Sequence, residues 1–227
     1  MLESATIAVR LSFHELTVTP DHVARYAGGS RYRPDAKRKK LACDAVECSA
    51  ALVQPAFAYA ALPVFAADSE KDAALFFPPE ALNAGPVCII AAVCTIGPDL
   101  EKQTADLMAQ GKYPEALFLD AAGVACVEAL ADAAYCRLNR EAAKKGLFTS
   151  RRFVPGIEAI PGNAQTVLVE SVHPEIIGVS LNASGVLSPL KSCSFWVNWT
   201  SQPPPEAASD KCQNCTMNHC PYRTGNR

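Results

Sequence analysis

Residues 6–18 alternate apolar and polar positions, which predicts a first strand. The stretch TPDHVARYAGG then carries helix punctuation: Thr19 as N-cap, Pro20 at the first helical position, Asp21 in the first turn and Gly28 past the end. Leu41, Ala45, Cys48 and Leu52 recur at helical spacing, predicting a helix over about residues 34–53 that Pro55 ends. AFAYAALPVF and AALFF read as strands, and VCIIAAVCT as a strand buried on both faces. Gly97-Pro98 opens a helix that stops at Gly111. Residues 114–145 are rich in Ala, Leu and Glu, with Gly146 as a stop signal. They predict one long helix, or two nearly collinear ones, packing through a face with Leu117, Ala121, Val124 and Glu128. AQTVLVES is compatible with either helix or strand, while IIGVSLNAS, GVLSP and SCSFWVNWT read as closing strands. SQPPPEAASD has no face to bury and reads as a linker. Strands and helices mix without strict alternation, so the expected class is α+β.

Composition narrows the function classes. A chain of 227 residues, 49% hydrophobic, has room for one cored domain and an appendage. A net charge of −2 argues against a general nucleic-acid binder. The basic run RYRPDAKRKK reads as a solvated loop and helix start. MLESATIAVRLSF lacks the basic region and long apolar core of a signal peptide, and VCIIAAVCTIG is too short to span a bilayer. A cytoplasmic chain with no membrane partner is the expectation. There its ten cysteines should be thiols rather than disulfides. Seven of them, Cys43, Cys48, Cys88, Cys94, Cys126, Cys136 and Cys193, lie among Ala, Val and Ile and read as small buried hydrophobes.

The other three differ. Cys212, Cys215 and Cys220 form a C-x2-C-x4-C pattern in a polar tail, with Pro221 directly after the last. Two thiolates in a C-x-x-C turn can ligate one metal, and a Cys-Pro step ends many iron–sulfur runs. Zinc competes, with His219 as a nitrogen donor, and so does an unmetallated thiol tail. A fourth ligand could be Cys193, a residue of another chain, or an open coordination position.

Three stretches together carry a family resemblance. VCTIGPDLEKQTADLMAQGKYPEALFLDAAGVACVEALADA resembles the stretch ending in a long helix in the reactivation (activation) domain of cobalamin-dependent methionine synthase, closest to its free-standing versions. RRFVPGIEAIP resembles that family's Arg-x-x-Pro-Gly-Tyr loop, and IGVSLNASGVLSPLKSCS its Leu-Thr-Glu-Ser…Pro-x-Lys-Ser-x-Ser segment. Order and spacing agree over roughly residues 8–200. The resemblance implies an α+β fold with a curved, mainly antiparallel sheet and packed helices. The chain then divides into an activation-like domain (1–200), a Pro-rich linker (201–210) and a Cys-rich candidate metal-binding tail (211–227).

The resemblance also implies chemistry. In that family the domain binds S-adenosylmethionine and caps the cobalamin-bearing domain, so that reduction of an inactivated cobalt is trapped by methylation. The implied partners are a corrinoid-binding methyltransferase subunit and a low-potential reductant; cobalamin would sit on the partner. Arg152 matches the loop arginine, whose planar fork suits the methionine carboxylate. Pro155 and Gly156 match the tight turn, and Glu128 aligns with a ligand-facing helix glutamate. Ser184 and Lys191 hold matching polar positions in the third segment. Ile157 stands where the family's loop carries Tyr, and Asn182-Ala183 where it carries Thr-Glu. An iron–sulfur cluster or zinc at Cys212, Cys215 and Cys220 would serve electron delivery or structure.

Overall fold

The computed structural model describes residues 5–29, 33, 35–63, 86–157, 160 and 162–203. Along them run β1 (Ile7–Arg10), a 3-10 turn (Phe13–Glu15), α1 (Pro20–Gly28), α2 (Ala36–Leu52), β2 (Ala56–Pro63) and β3 (Pro86–Thr95). Then come α3 (Asp99–Ala109), α4 (Tyr113–Lys144), β4 (Phe148–Thr149), α5 (Ala164–Val172) and a second 3-10 turn (Pro174–Ile177). A hairpin of β5 (Ser180–Leu181) and β6 (Leu187–Ser188) precedes β7 (Ser192–Thr200). The AALFF strand, most of the proline-rich linker and the tail with Cys212, Cys215 and Cys220 lie outside the described residues. Among the described residues no helix is long and apolar enough to cross a membrane.

The architecture is α+β, with one antiparallel sheet in the order β1-β2-β3-β7-β4 and helices packed on it. β3 is central, and its residues from Ile89 to Cys94 are all buried. The two-residue period of a strand explains why. Ile90, Ala92 and Cys94 point to one face with Phe57, Tyr59, Phe195 and Val197, where α4 covers them. Ile89, Ala91 and Val93 point to the other face with Ala58 and Trp196, beneath α5 and the β5–β6 hairpin. An uninterrupted apolar run is what a doubly covered strand requires.

Helix α4 is continuous over 32 residues and is buried on two flanks. Leu119, Cys126, Leu130, Ala134 and Leu138 lie on the sheet. Phe118, Ala121, Ala122 and Ala125 meet Val23 of α1 and Ala42 and Ala45 of α2. This corrects the expected packing face: Leu117 is exposed, and the Glu128 side chain keeps 47% of its accessible surface. On α2 the buried face is Ala42, Ala45 and Ser49, leaving Cys48 exposed. Capping of α1 is as expected, with the Thr19 hydroxyl accepting from the His22 N–H.

Two strand expectations also shorten. β1 stops at Arg10 because the backbone N–H and hydroxyl of Ser12 both donate to the Glu15 carboxylate, at 2.7 and 3.0 Å, closing a turn. Those bonds hold the Glu15 carboxyl below its ordinary range. AQTVLVES forms α5, and the Ile176-Ile177 pair ends a 3-10 turn rather than a strand.

The seven described cysteines divide. Cys88, Cys94 and Cys126 are buried, Cys193 is half-buried, and Cys43, Cys48 and Cys136 are exposed, contrary to the uniform burial expected. Neighbouring Ala and Val mark a helix face only through their period, and these three fall between the stripes. Burial pushes the Cys126 thiol up to about 12 and that of Cys88 to about 11. Among the described cysteines, alkylation of the native chain at mildly alkaline pH should therefore label Cys43 and Cys136 first and spare Cys88, Cys94 and Cys126. Peptide mapping checks this; early labelling of Cys126 would mean that the α4–sheet core opens readily.

Candidate functional site

After β4 the chain stays extended along the edge of β7. The Ser150 N–H donates to the Asn198 carbonyl at 2.9 Å, and Phe153 and Trp196 exchange both backbone bonds at 2.9 and 3.0 Å. Alternation sends neighbouring side chains to opposite faces. Phe153 stacks on Trp196 with ring centroids 5.4 Å apart, and the Arg151 guanidinium carbon lies 4.5 Å from the Phe153 ring centroid. Arg152 turns the other way, toward α4, and its guanidinium carbon sits 5.5 Å from the Phe195 ring centroid.

α4 meets that guanidinium with two carboxylates one turn apart. Arg152 Nη2 is 2.8 Å from Asp132 Oδ1 and 3.8 Å from Glu128 Oε2. The arginine side chain is only 13% exposed, whereas Glu128 and Asp132 are 47% and 53% exposed. A cation is thus held largely out of water beneath two carboxylates that face it. Such a charge is retained only when hydrogen-bonded, and Asp132 supplies that bond.

A second ion pair lies on the same helix. Lys191 Nζ is 2.7 Å from Asp120 Oδ1, with the lysine 15% exposed. Its stem passes α4 at Gly123, where a Cβ would sit 2.7 Å from Leu100 Cδ2 and 3.1 Å from Lys191 Cε. Only a residue without Cβ lets that crossing stand undisturbed. Gly123→Val should cost about 2 kcal/mol of stability through overpacking, read from the denaturation midpoint. An unchanged midpoint would show that the crossing is loose.

Pro155 and Gly156 form a turn three residues beyond Arg152, with the Ile157 N–H donating to the Val154 carbonyl at 3.2 Å. Gly156 takes φ +77°, a left-handed conformation that favours glycine. Ile157 stands exposed on this loop. Ser184 is exposed in the β5–β6 turn, where Asn182 Oδ1 accepts from the N–H groups of Ser184 and Val186, both at 2.9 Å. That hairpin packs through Leu181 and Leu187 on the opposite face of the sheet.

Of the six candidate binding residues, Glu128 and Arg152 meet directly, and Pro155-Gly156 continue the arginine's own segment. Lys191 reaches the same helix through Asp120, and Ser184 is on the other side of the sheet. Asp132 and Phe195 complete the cluster, and Asp120 holds Lys191 farther along α4; none of the three was among the expected site residues. The signal was present: Asp120, Glu128 and Asp132 are spaced by eight and four, one helical stripe. Among the described residues no group of three or more His, Cys, Asp or Glu side chains could hold a metal ion.

Chemically, the cluster offers a forked cation, two solvent-facing anions and an aromatic ring. That set suits a small zwitterion better than a simple anion, because any carboxylate reaching Arg152 passes two of its own sign.

No protein-family model and no curated protein matches the chain. Among solved structures it is similar to the crystal structure of the MetH reactivation domain bound to AdoHcy. The likeness has a TM-score of 0.63, covers 89% of this chain and 80% of that one, and comes with 16% sequence identity. At that identity the likeness establishes the fold.

Proposed function

We propose that the chain is an accessory protein for reductive reactivation of a cobalamin (corrinoid)-dependent methyltransferase, of the methionine synthase kind. It binds S-adenosylmethionine at the Arg152 cluster and docks on the corrinoid-binding subunit. The observation that carries this reading is the covered guanidinium of Arg152, held by Asp132 and Glu128 over Phe195, in a fold like that of a domain crystallised with AdoHcy.

The donor set fits the ligand. S-adenosylmethionine carries a carboxylate, an ammonium and a sulfonium. The guanidinium fork has edges enough to keep Asp132 and accept the carboxylate. Glu128 and Asp132 suit the two cationic groups, and their exposure leaves them reachable. The cobalt of the partner, when bound, supplies the methyl-accepting and redox chemistry. This chain's residues bind and orient the methyl donor. Cys212, Cys215 and Cys220 would hold an iron–sulfur cluster that delivers a low-potential electron, or zinc; otherwise a separate reductant does so.

The test is reconstitution. The full chain is mixed with a cobalamin-loaded methyltransferase subunit in its inactive oxidised state, a reductant and S-adenosylmethionine, and the visible spectrum is followed. Conversion to the methylated corrinoid that depends on the chain is expected; the same rate without the chain would overturn the proposal.

Two observations favour a second reading, a corrinoid-protein binding or electron-transfer module without methyl transfer. The Asn182 side-chain oxygen closes its own hairpin, and Ile157 offers the loop no side-chain hydrogen bond. Complex formation with the corrinoid subunit that is indifferent to S-adenosylmethionine, together with iron bound after anaerobic expression, would select it.

A further inference from the structure

β3 and β7 bring two cysteines together. Cys94 and Cys193 are register partners in the antiparallel ladder and lie on the face beneath α4. Cys94 is fully buried while Cys193 is half-buried, so of the two residues only Cys193 keeps contact with solvent. The backbone bonds fix the type of pairing. Trp196 spends its N–H and carbonyl on Phe153, away from β3, and the Lys191 carbonyl accepts from Ile96 beyond the end of β3. The odd-numbered residues of β7 therefore direct their backbone groups at β3, and Cys94–Cys193 is a hydrogen-bonded pair. Such pairs have Cα atoms about 5.5 Å apart, inside the roughly 4.4–6.8 Å that a disulfide spans. The neighbouring Cys193 thiol, with burial, holds Cys94 well above the ordinary thiol range.

We propose that Cys94 and Cys193 are a reversible redox couple, closed to a cross-strand disulfide by a hydroperoxide and reopened by a dithiol. The Cys193 thiolate attacks the peroxide, the O–O bond breaks, an alcohol or water leaves, and the Cys193 sulfur is oxidised to a sulfenic acid. The Cys94 sulfur then displaces hydroxide from it. The S–S bond forms, and the proton of Cys94 leaves with the hydroxide as water. Two thiols and one hydroperoxide thus give a disulfide, an alcohol or water, and one further water. The geometry suits this order of events: the accessible thiol meets the oxidant, and the buried one is already aimed at it. Cys193 keeps part of its surface exposed, so an external dithiol reaches the bridge at that residue and reopens it by exchange. On β7 the next residue on that face is Phe195, which carries Arg152. The couple therefore borders the cation cluster, but the inference does not rest on any ligand bound there.

Peptide mapping of the full chain tests it. Reduced protein is treated with hydrogen peroxide, remaining thiols are blocked, and linked peptides are sequenced by fragmentation, since no tryptic site separates Cys88 from Cys94. The expected result is a Cys94–Cys193 link as the main product among the described cysteines, removed by dithiothreitol. Cys193→Ser should abolish it and leave Cys94 a free thiol; Cys94→Ser should leave a Cys193 sulfenic acid that a dimedone probe traps. Recovery of Cys94 as an unlinked thiol at a peroxide dose that oxidises Cys136 would overturn the proposal. So would a link from Cys193 to a tail cysteine in place of Cys94. The unmutated chain decides the matter by itself if either variant fails to fold.

Discussion

Arg152→Ala is expected to weaken S-adenosylmethionine binding by about 100-fold while the chain stays folded. The proposed contact is a charge-assisted fork on the ligand carboxylate, and such bonds contribute about 1.5–3 kcal/mol each, where ~1.4 kcal/mol is tenfold in affinity. Its loss also leaves Glu128 and Asp132 without the cation between them, so the carboxylate of the ligand meets net repulsion. Both acids are half-exposed and remain hydrated, which keeps the cost to the fold near the ~1 kcal/mol of a surface pair. Arg152→Lys retains the charge and loses the fork, so an intermediate loss of roughly tenfold is expected. Calorimetry on the three proteins reads the series. An affinity that is the same in all of them would place any ligand elsewhere.

Trp196→Ala should destabilise the chain by about 3–5 kcal/mol, the range for emptying a large buried aromatic site. Trp196 is wholly buried and lies opposite Ala91 of β3. It also stacks on Phe153 and exchanges both backbone bonds with it. The same bridge fixes the segment that carries Arg152, so core and candidate site depend on one residue. Against a total of about 5–15 kcal/mol for a typical domain, that loss should move the urea midpoint far to lower concentration. A change below about 1 kcal/mol would mean that the Phe153 segment does not form the covered edge described.

How much of this was legible in the sequence depended on whether one period dominated. Thr19 and Pro20 start α1 as expected because capping chemistry is local, whereas Gly28, expected past the end, is the last helical residue and Gly29 is the C-cap. β3 was legible as a doubly buried strand because nothing polar interrupts Ile89–Val93. α4 was legible as a long helix, but its faces were not. It is buried on two flanks, and its alanines blur the contrast that a one-sided helix would show, so Leu117 was taken for core and Phe118 was not. The carboxylate stripe suffered for the same reason: Glu128 was found through resemblance, while Asp132, one turn on, makes the shorter contact to Arg152. α5 was ambiguous because Gln165, near its start, faces inward and bonds both the Gly185 carbonyl and the Ser194 hydroxyl, a tertiary role no local pattern encodes.

The most direct measurement is calorimetric titration of the full chain with S-adenosylmethionine and, in parallel, with S-adenosylhomocysteine, whose sulfur is uncharged. A saturable one-site isotherm for each is expected, tighter for the sulfonium because two carboxylates face it, and weaker as salt is raised. Absence of saturation for both ligands up to millimolar concentration, from protein that circular dichroism shows to be folded, would contradict a methyl-donor site at Arg152.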